Sequence, residues 1–154
     1  MTVNTVAHLN FHGNAREALG FYQSVFGGHS VIATYGDFGL PKDLPDADKV
    51  VFGQIAADNG VRLMAYDIPS QAERTPAGPT PTPTRREHGV TLTSEPFFLS
   101  VRGDTVDEVK ALWDKLSENA TIIEPFGPAQ WAPGFGMLTD RFGITWILDV
   151  AAAY

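Results

Sequence analysis

Two stretches 90 residues apart carry the same order of signals. Gly13-Asn14 and Gly103-Asp104 each follow a β-rich run and precede a helical stripe. The same shift sets Leu19 on Val109, Tyr22 on Leu112, Phe26 on Leu116 and Val31-Ile32 on Thr121-Ile122. Self-similarity at a fixed offset marks a unit that cannot bury its apolar face alone. Half of a 154-residue chain is marginal for an independent sheet-and-helix core. Two copies are therefore expected to pair their sheets and share one.

The unit itself reads as βαβββ. Val3 to Phe11 is β-rich, and Asn14 offers an N-cap with Glu17 three residues on, a variant of the capping box. Ala15, Ala18, Leu19, Tyr22, Val25 and Phe26 then follow the i, i+3, i+4, i+7 rhythm of a one-sided helix, which Gly27-Gly28 can end. His29 to Tyr35, Val50 to Ala57 and Val61 to Tyr66 read as strands, the last two joined by a tight turn at Asn59-Gly60. In the second copy Phe97 to Arg102 is a strand, Asp104 can cap, Val109, Leu112, Trp113 and Leu116 form the stripe, and Thr121 to Phe126 is a strand. Asp140 and Gly143 mark a closing hairpin whose first arm is interrupted at Pro133-Gly134. The expected organisation is a first module over residues 1–67, a Pro/Thr-rich linker or flap over 68–95, whose TPAGPTPTPT run cannot feed a sheet ladder, and a second module over 96–154.

Composition removes whole classes of function. A net charge of −7 argues against a phosphate-binding surface, so nucleic acid is not an expected partner. No apolar run reaches the roughly 20 residues a bilayer requires, and MTVNTVAHLN lacks the basic-then-apolar order of a signal peptide, so a cytoplasmic location is expected. The absence of cysteine excludes disulfides, thiolate zinc sites and cysteine nucleophiles. Neither a Gly-x-Ser-x-Gly elbow nor a strand followed by a glycine-rich turn and helix is present, which speaks against hydrolase and Rossmann-type methyltransferase chemistry.

Paired βαβββ units, with "NFHGNAREALGFYQSVFGG" in the first and "WAPGFGMLTDRFGITW" in the second, resemble the vicinal oxygen chelate superfamily and, within it, the PhnB-like branch. That superfamily includes glyoxalases, bleomycin-sequestering proteins and dioxygenases. The resemblance implies an α+β fold in which two βαβββ modules pair their mixed sheets into a cup. It also implies a homodimer. The superfamily's metal site takes a ligand from the first and fourth strands of each module, commonly His and Glu. His8 occupies the matching first-strand position. Under the 90-residue shift its partner is Phe98, and the fourth strands carry Met64, Tyr66, Trp146 and Ile147 where carboxylates would stand. Phe52 and Gln54 replace the His and Glu that the branch often carries on its third strand. His12 cannot complete the site, because four residues of strand span about 13 Å.

No cofactor is therefore expected. The alternative is a degenerate site in which His8 holds Mn, Ni, Zn or Fe, or acts as acid or base, in a lyase, isomerase or dioxygenase-type enzyme. The favoured reading is an apolar cup that binds an aromatic or amphipathic small molecule, with His8, Phe52, Gln54, Met64, Tyr66, Phe98, Trp131 and Trp146 as its candidate lining, beside Phe11 and Met137. Catalysis stays open. Asp67 and Asp149 read as equivalent, solvent-facing ends of the fourth strands, Asp140 as a turn residue, and Arg85-Arg86 as solubilising residues or a clamp for an anion.

Overall fold

The structure is a computed structural model that describes residues 3–70 and 83–152. Residues 71–82, which hold most of the Pro/Thr-rich run, lie outside the described residues, as do the first two and last two positions. The chain divides into two compact units, Met1–Ala77 and Gly78–Tyr154.

In the first unit β1 (Ala7–Phe11), α1 (Ala15–Phe26), β2 (His29–Thr34), β3 (Val50–Ala56) and β4 (Arg62–Asp67) follow the expected βαβββ order, with one 3-10 turn at Gly36–Phe38. The sheet order is β1-β4-β3-β2. β1 runs parallel to β4 and the other pairs are antiparallel, because the helix carries the chain back across the sheet before β2 begins. The apolar stripe of α1 is buried as the sequence predicts, and it packs mainly on β3. Gly53 makes that approach possible: a Cβ there would lie 2.3 Å from a Leu19 methyl.

The second unit repeats the plan with β7 (Leu99–Gly103), α2 (Val106–Leu116), β8 (Thr121–Ala129), β9 (Ala132–Thr139) and β10 (Thr145–Val150), in sheet order β7-β10-β9-β8. β9 is continuous through Pro133-Gly134, where an interruption was expected. Its pairing with β8 shifts register three times, so Pro125, Pro128 and Pro133 fall between the paired residues and no ladder bond needs their missing N–H.

Three local expectations are corrected. Asn14 stands at the N-cap of α1, but its side chain makes no capping bond. Asp67 does the work from the end of β4: its Oδ1 accepts the N–H groups of Gly13 at 2.9 Å and Ala15 at 3.0 Å. Thr105, rather than Asp104, caps α2 by accepting the Glu108 N–H. Finally, part of the supposed linker is folded. Arg85–Glu87 and Val90–Leu92 form a hairpin, β5-β6, whose turn residues His88 and Gly89 both take positive φ, the geometry that matches strand twist.

Candidate ligand-binding face of the first module

Side chains alternate across a strand, so each residue's face follows from its register. Leu9, Phe11, Leu63, Ala65, Asp67 and Ile55 point under α1 and are buried. The opposite face carries a lateral row, His8–Met64–Gln54–Val31, one residue from each strand, fixed by the pairs His8↔Met64, Gln54↔Met64 and Val31↔Gln54. Asn10 and Tyr66 form the next pair on that face, and Phe52 pairs with Ala33. Five of the predicted lining residues, His8, Phe52, Gln54, Met64 and Tyr66, thus share one partly exposed face. Phe11 faces the other way, into the helix-side core.

The polar groups on this face are oriented. His8 Nδ1 lies 3.1 Å from Asn10 Oδ1. An amide oxygen only accepts, so the bond has Nδ1 as its donor and fixes the orientation of the ring. The imidazole meets the edge of Tyr66 at a centroid distance of 5.1 Å. Gln54, separated from His8 by Met64 in the row, has no hydrogen-bond partner for its amide among the described residues. Tyr35 donates its hydroxyl proton to the Asp67 carbonyl at 2.7 Å, and burial, followed by the nearby Tyr66, Asp67 and Asp46, holds its phenol above the usual tyrosine range. The face offers apolar area, one imidazole, one amide and the Tyr66 phenol. It holds no nucleophile with an adjacent base.

The remaining predicted residues lie in the second unit, and Trp146 is a correction. It is 1 % exposed, on the α2 side of its sheet, and its Nε1 donates to Asp140 Oδ2 at 2.8 Å. Asp140 Oδ1 accepts the Phe142 and Ile144 N–H groups at 2.8 and 3.1 Å. The Asp140-to-Trp146 motif therefore builds the β9-β10 turn and its core. Phe98 precedes β7, and Trp131 lies on the β8-β9 turn, 54 % exposed.

Sheet register also corrects the internal alignment. Ile68 N–H bonds the Phe11 carbonyl, as Ala151 N–H bonds that of Gly103. Asp67 thus corresponds to Val150, Tyr66 to Asp149, and His8 to Ser100 rather than Phe98. Asp67 and Asp149 are not twins and neither faces solvent. Asp67 is 1 % exposed and also takes the Val50 N–H at 2.9 Å on Oδ2, whereas Asp149 lies on the opposite face, paired bidentately with Arg102. Sequence reasoning missed Asp67 because its partners lie 17 to 54 residues away.

A family model matches residues 5–148. The chain belongs to the Glyoxalase/Bleomycin resistance protein/Dioxygenase superfamily. Among superfamily relatives, Protein YjdN of Escherichia coli (strain K12) is 27% identical over 93% of this chain and 92% of its own. The crystal structure of PA1353 from Pseudomonas aeruginosa superposes with a TM-score of 0.74 at 27% identity, covering 97% of this chain and 98% of that one. A PhnB protein from Bacillus cereus, named as a 3-demethylubiquinone-9 3-methyltransferase, gives a TM-score of 0.67 at 25% identity over 97% of this chain and 100% of its own. The PhnB-like resemblance read from the two motifs thus extends over the whole superfamily match.

The residues present do not fit the superfamily's divalent metal. The first- and fourth-strand positions pair His8 with Met64 in one unit and Ser100 with Ile147 in the other, so each unit offers a single polar side chain, an imidazole or a hydroxyl, beside an apolar one. Among the described residues no group of three or more His, Asp or Glu side chains gathers at one point. Gly27 and Gly28 terminate α1, with the Gly27 N–H bonded to the Gln23 carbonyl, so they do not form the strand-to-helix glycine turn of a Rossmann-type methyltransferase.

Proposed function

We propose that this superfamily member binds an aromatic or amphipathic small molecule on the exposed sheet face of its first module and needs no resident metal to do so. The observation that carries the reading is the row His8–Met64–Gln54, in which a thioether lies between an oriented imidazole and an amide with no described protein partner. Met64, Tyr66 and Phe52 supply adaptable apolar area, while Gln54 and His8 Nε2 fix the ligand's orientation. Trp146 is dropped, since its indole is committed to Asp140. The acting form is proposed to be a cytoplasmic homodimer.

Calorimetric titration of chelator-stripped protein with Mn²⁺, Ni²⁺ and Zn²⁺, beside His8→Ala, tests the metal-free reading. No binding, or binding indifferent to His8, is the expected outcome. Micromolar binding of one ion per chain that disappears in His8→Ala overturns it and favours a His8-dependent lyase, isomerase or dioxygenase-type enzyme. In parallel, an aromatic fragment panel screened by ligand-detected NMR is expected to give binders that Gln54→Ala and Tyr66→Ala weaken. Binders insensitive to both variants place the site elsewhere.

A further inference from the structure

We propose that Trp131 and Phe135 form a latent site for an organic monocation, occupied in this structure by the chain's own Arg86. The argument rests on the second unit alone and is independent of the first-module face. Trp131 and Phe135 meet nearly edge to face, with centroids 5.1 Å apart and planes at 75°, so their π faces make a corner. The Arg86 guanidinium carbon stands 6.0 Å from the Trp131 centroid and 5.5 Å from that of Phe135. Glu124 Oε2 flanks it at 3.6 Å from Nε. Two aromatic faces and a carboxylate around one delocalised cation are the receptor chemistry for alkylammonium and guanidinium groups.

The occupant is carried by a short hairpin. Arg86 belongs to a hairpin of three residues per strand, a size that is marginal by itself in water. The hairpin's remaining attachments are polar or weak. Arg86 bonds within the hairpin to the Thr91 hydroxyl at 2.8 Å and the Gly89 carbonyl at 3.2 Å. Outside the hairpin, the Thr91 hydroxyl donates to the Met137 sulfur at 3.8 Å. At the base, Glu95 Oε2 accepts from the hydroxyls of Thr84 and Thr145. No large apolar side chain of the hairpin is buried against the sheet: Val90 is 55 % exposed, and Leu92 is part-exposed. Lifting the hairpin therefore uncovers little apolar area on its own side while freeing the aromatic corner. The chain's net charge of −7 favours cations over anions at long range. An external cation then competes with Arg86, and its apparent affinity is reduced by the fraction of molecules in which Arg86 is seated.

Tetramethylammonium serves as the probe, with tert-butanol as its neutral isostere, and calorimetric titration as the readout. Arg86→Ala is expected to bind the probe at least about tenfold more tightly than wild type. Arg86→Gln, which keeps donors for Thr91 and Gly89 without the charge, carries the same expectation should the alanine variant fold poorly. Arg86→Lys stays weak, and adding Trp131→Ala to Arg86→Gln abolishes the gain. Equal affinity in wild type and both neutral variants, or equal response to tert-butanol, overturns the proposal.

Discussion

Asp67 shows how one side chain can hold a module together. Its two oxygens take N–H groups from the β1-α1 junction and from the start of β3, and its carbonyl takes the Tyr35 hydroxyl. Asp67→Ala is expected to cost about 3 kcal/mol or more, because three N–H groups lose a carboxylate acceptor at roughly 1–3 kcal/mol each. Asp67→Asn should fall between, since an amide offers one acceptor oxygen where donors converge on two; urea denaturation compares the three proteins. Asp46 gives a pH effect with a definite sign. Hydrogen bonds from Ser70, then Lys49, hold its carboxyl below the ordinary aspartate range. A native value lowered in this way contributes stability above the unfolded value, about 3.9, and loses it as pH falls through the native one. The Ser70 amide, bonded to Asp46 Oδ2 at 3.2 Å, is therefore expected to keep its NMR shift down to about pH 4 and move below it. Tyr35 runs the other way: raised by burial, its contribution is complete below the ordinary value of about 10 and is lost as pH rises through the higher native one.

At the scale of elements, the glycines after α1 separate backbone strain from crowding. Gly27 and Gly28 both have positive φ, but a Cβ at Gly27 meets nothing within 4 Å, whereas one at Gly28 would lie 2.4 Å from the Ala56 carbonyl oxygen on β3. Gly27→Ala is expected to cost about 1–3 kcal/mol from strain. Gly28→Ala should cost clearly more, as β3 must shift; thermal melts of the two variants decide. In the β9-β10 hairpin the segment from Asp140 to Trp146 builds the turn and its core. Trp146→Phe removes the donor to Asp140 Oδ2 and is expected to lower stability by about 1.5–3 kcal/mol. Fragment binding at the first-module face should be unchanged; a loss of binding in a folded Trp146→Phe protein contradicts the face assigned to that indole.

Across the whole molecule, each four-stranded sheet has two edge strands, β1 and β2 in one unit, β7 and β8 in the other. Val31 on β2 and Ile122 on β8 are 55 % and 44 % exposed, the kind of edge a second copy covers. Sedimentation equilibrium is expected to return twice the 16.7 kDa chain mass, and a monomer at micromolar concentration retires the homodimer. Among the described residues no helix is long and apolar enough to cross a membrane. The sequence by itself determined the repeat, both helices, the strand order and the superfamily, because apolar periodicity and turn residues act over a few neighbours and are written in the chain. It also placed His8, Gln54, Met64 and Tyr66 on strands of one module. Only the tertiary structure decided which face each residue took, since a shift of one residue reverses a strand's faces, and the 90-residue match of helices becomes 92 between β1 and β7. That shift set Ser100 opposite the role of His8 and put Trp146 beneath α2. Asp67 as a distant cap and Arg86 in its aromatic corner were equally out of reach, because a carboxylate or guanidinium shows its partners only when separate strands bring them together.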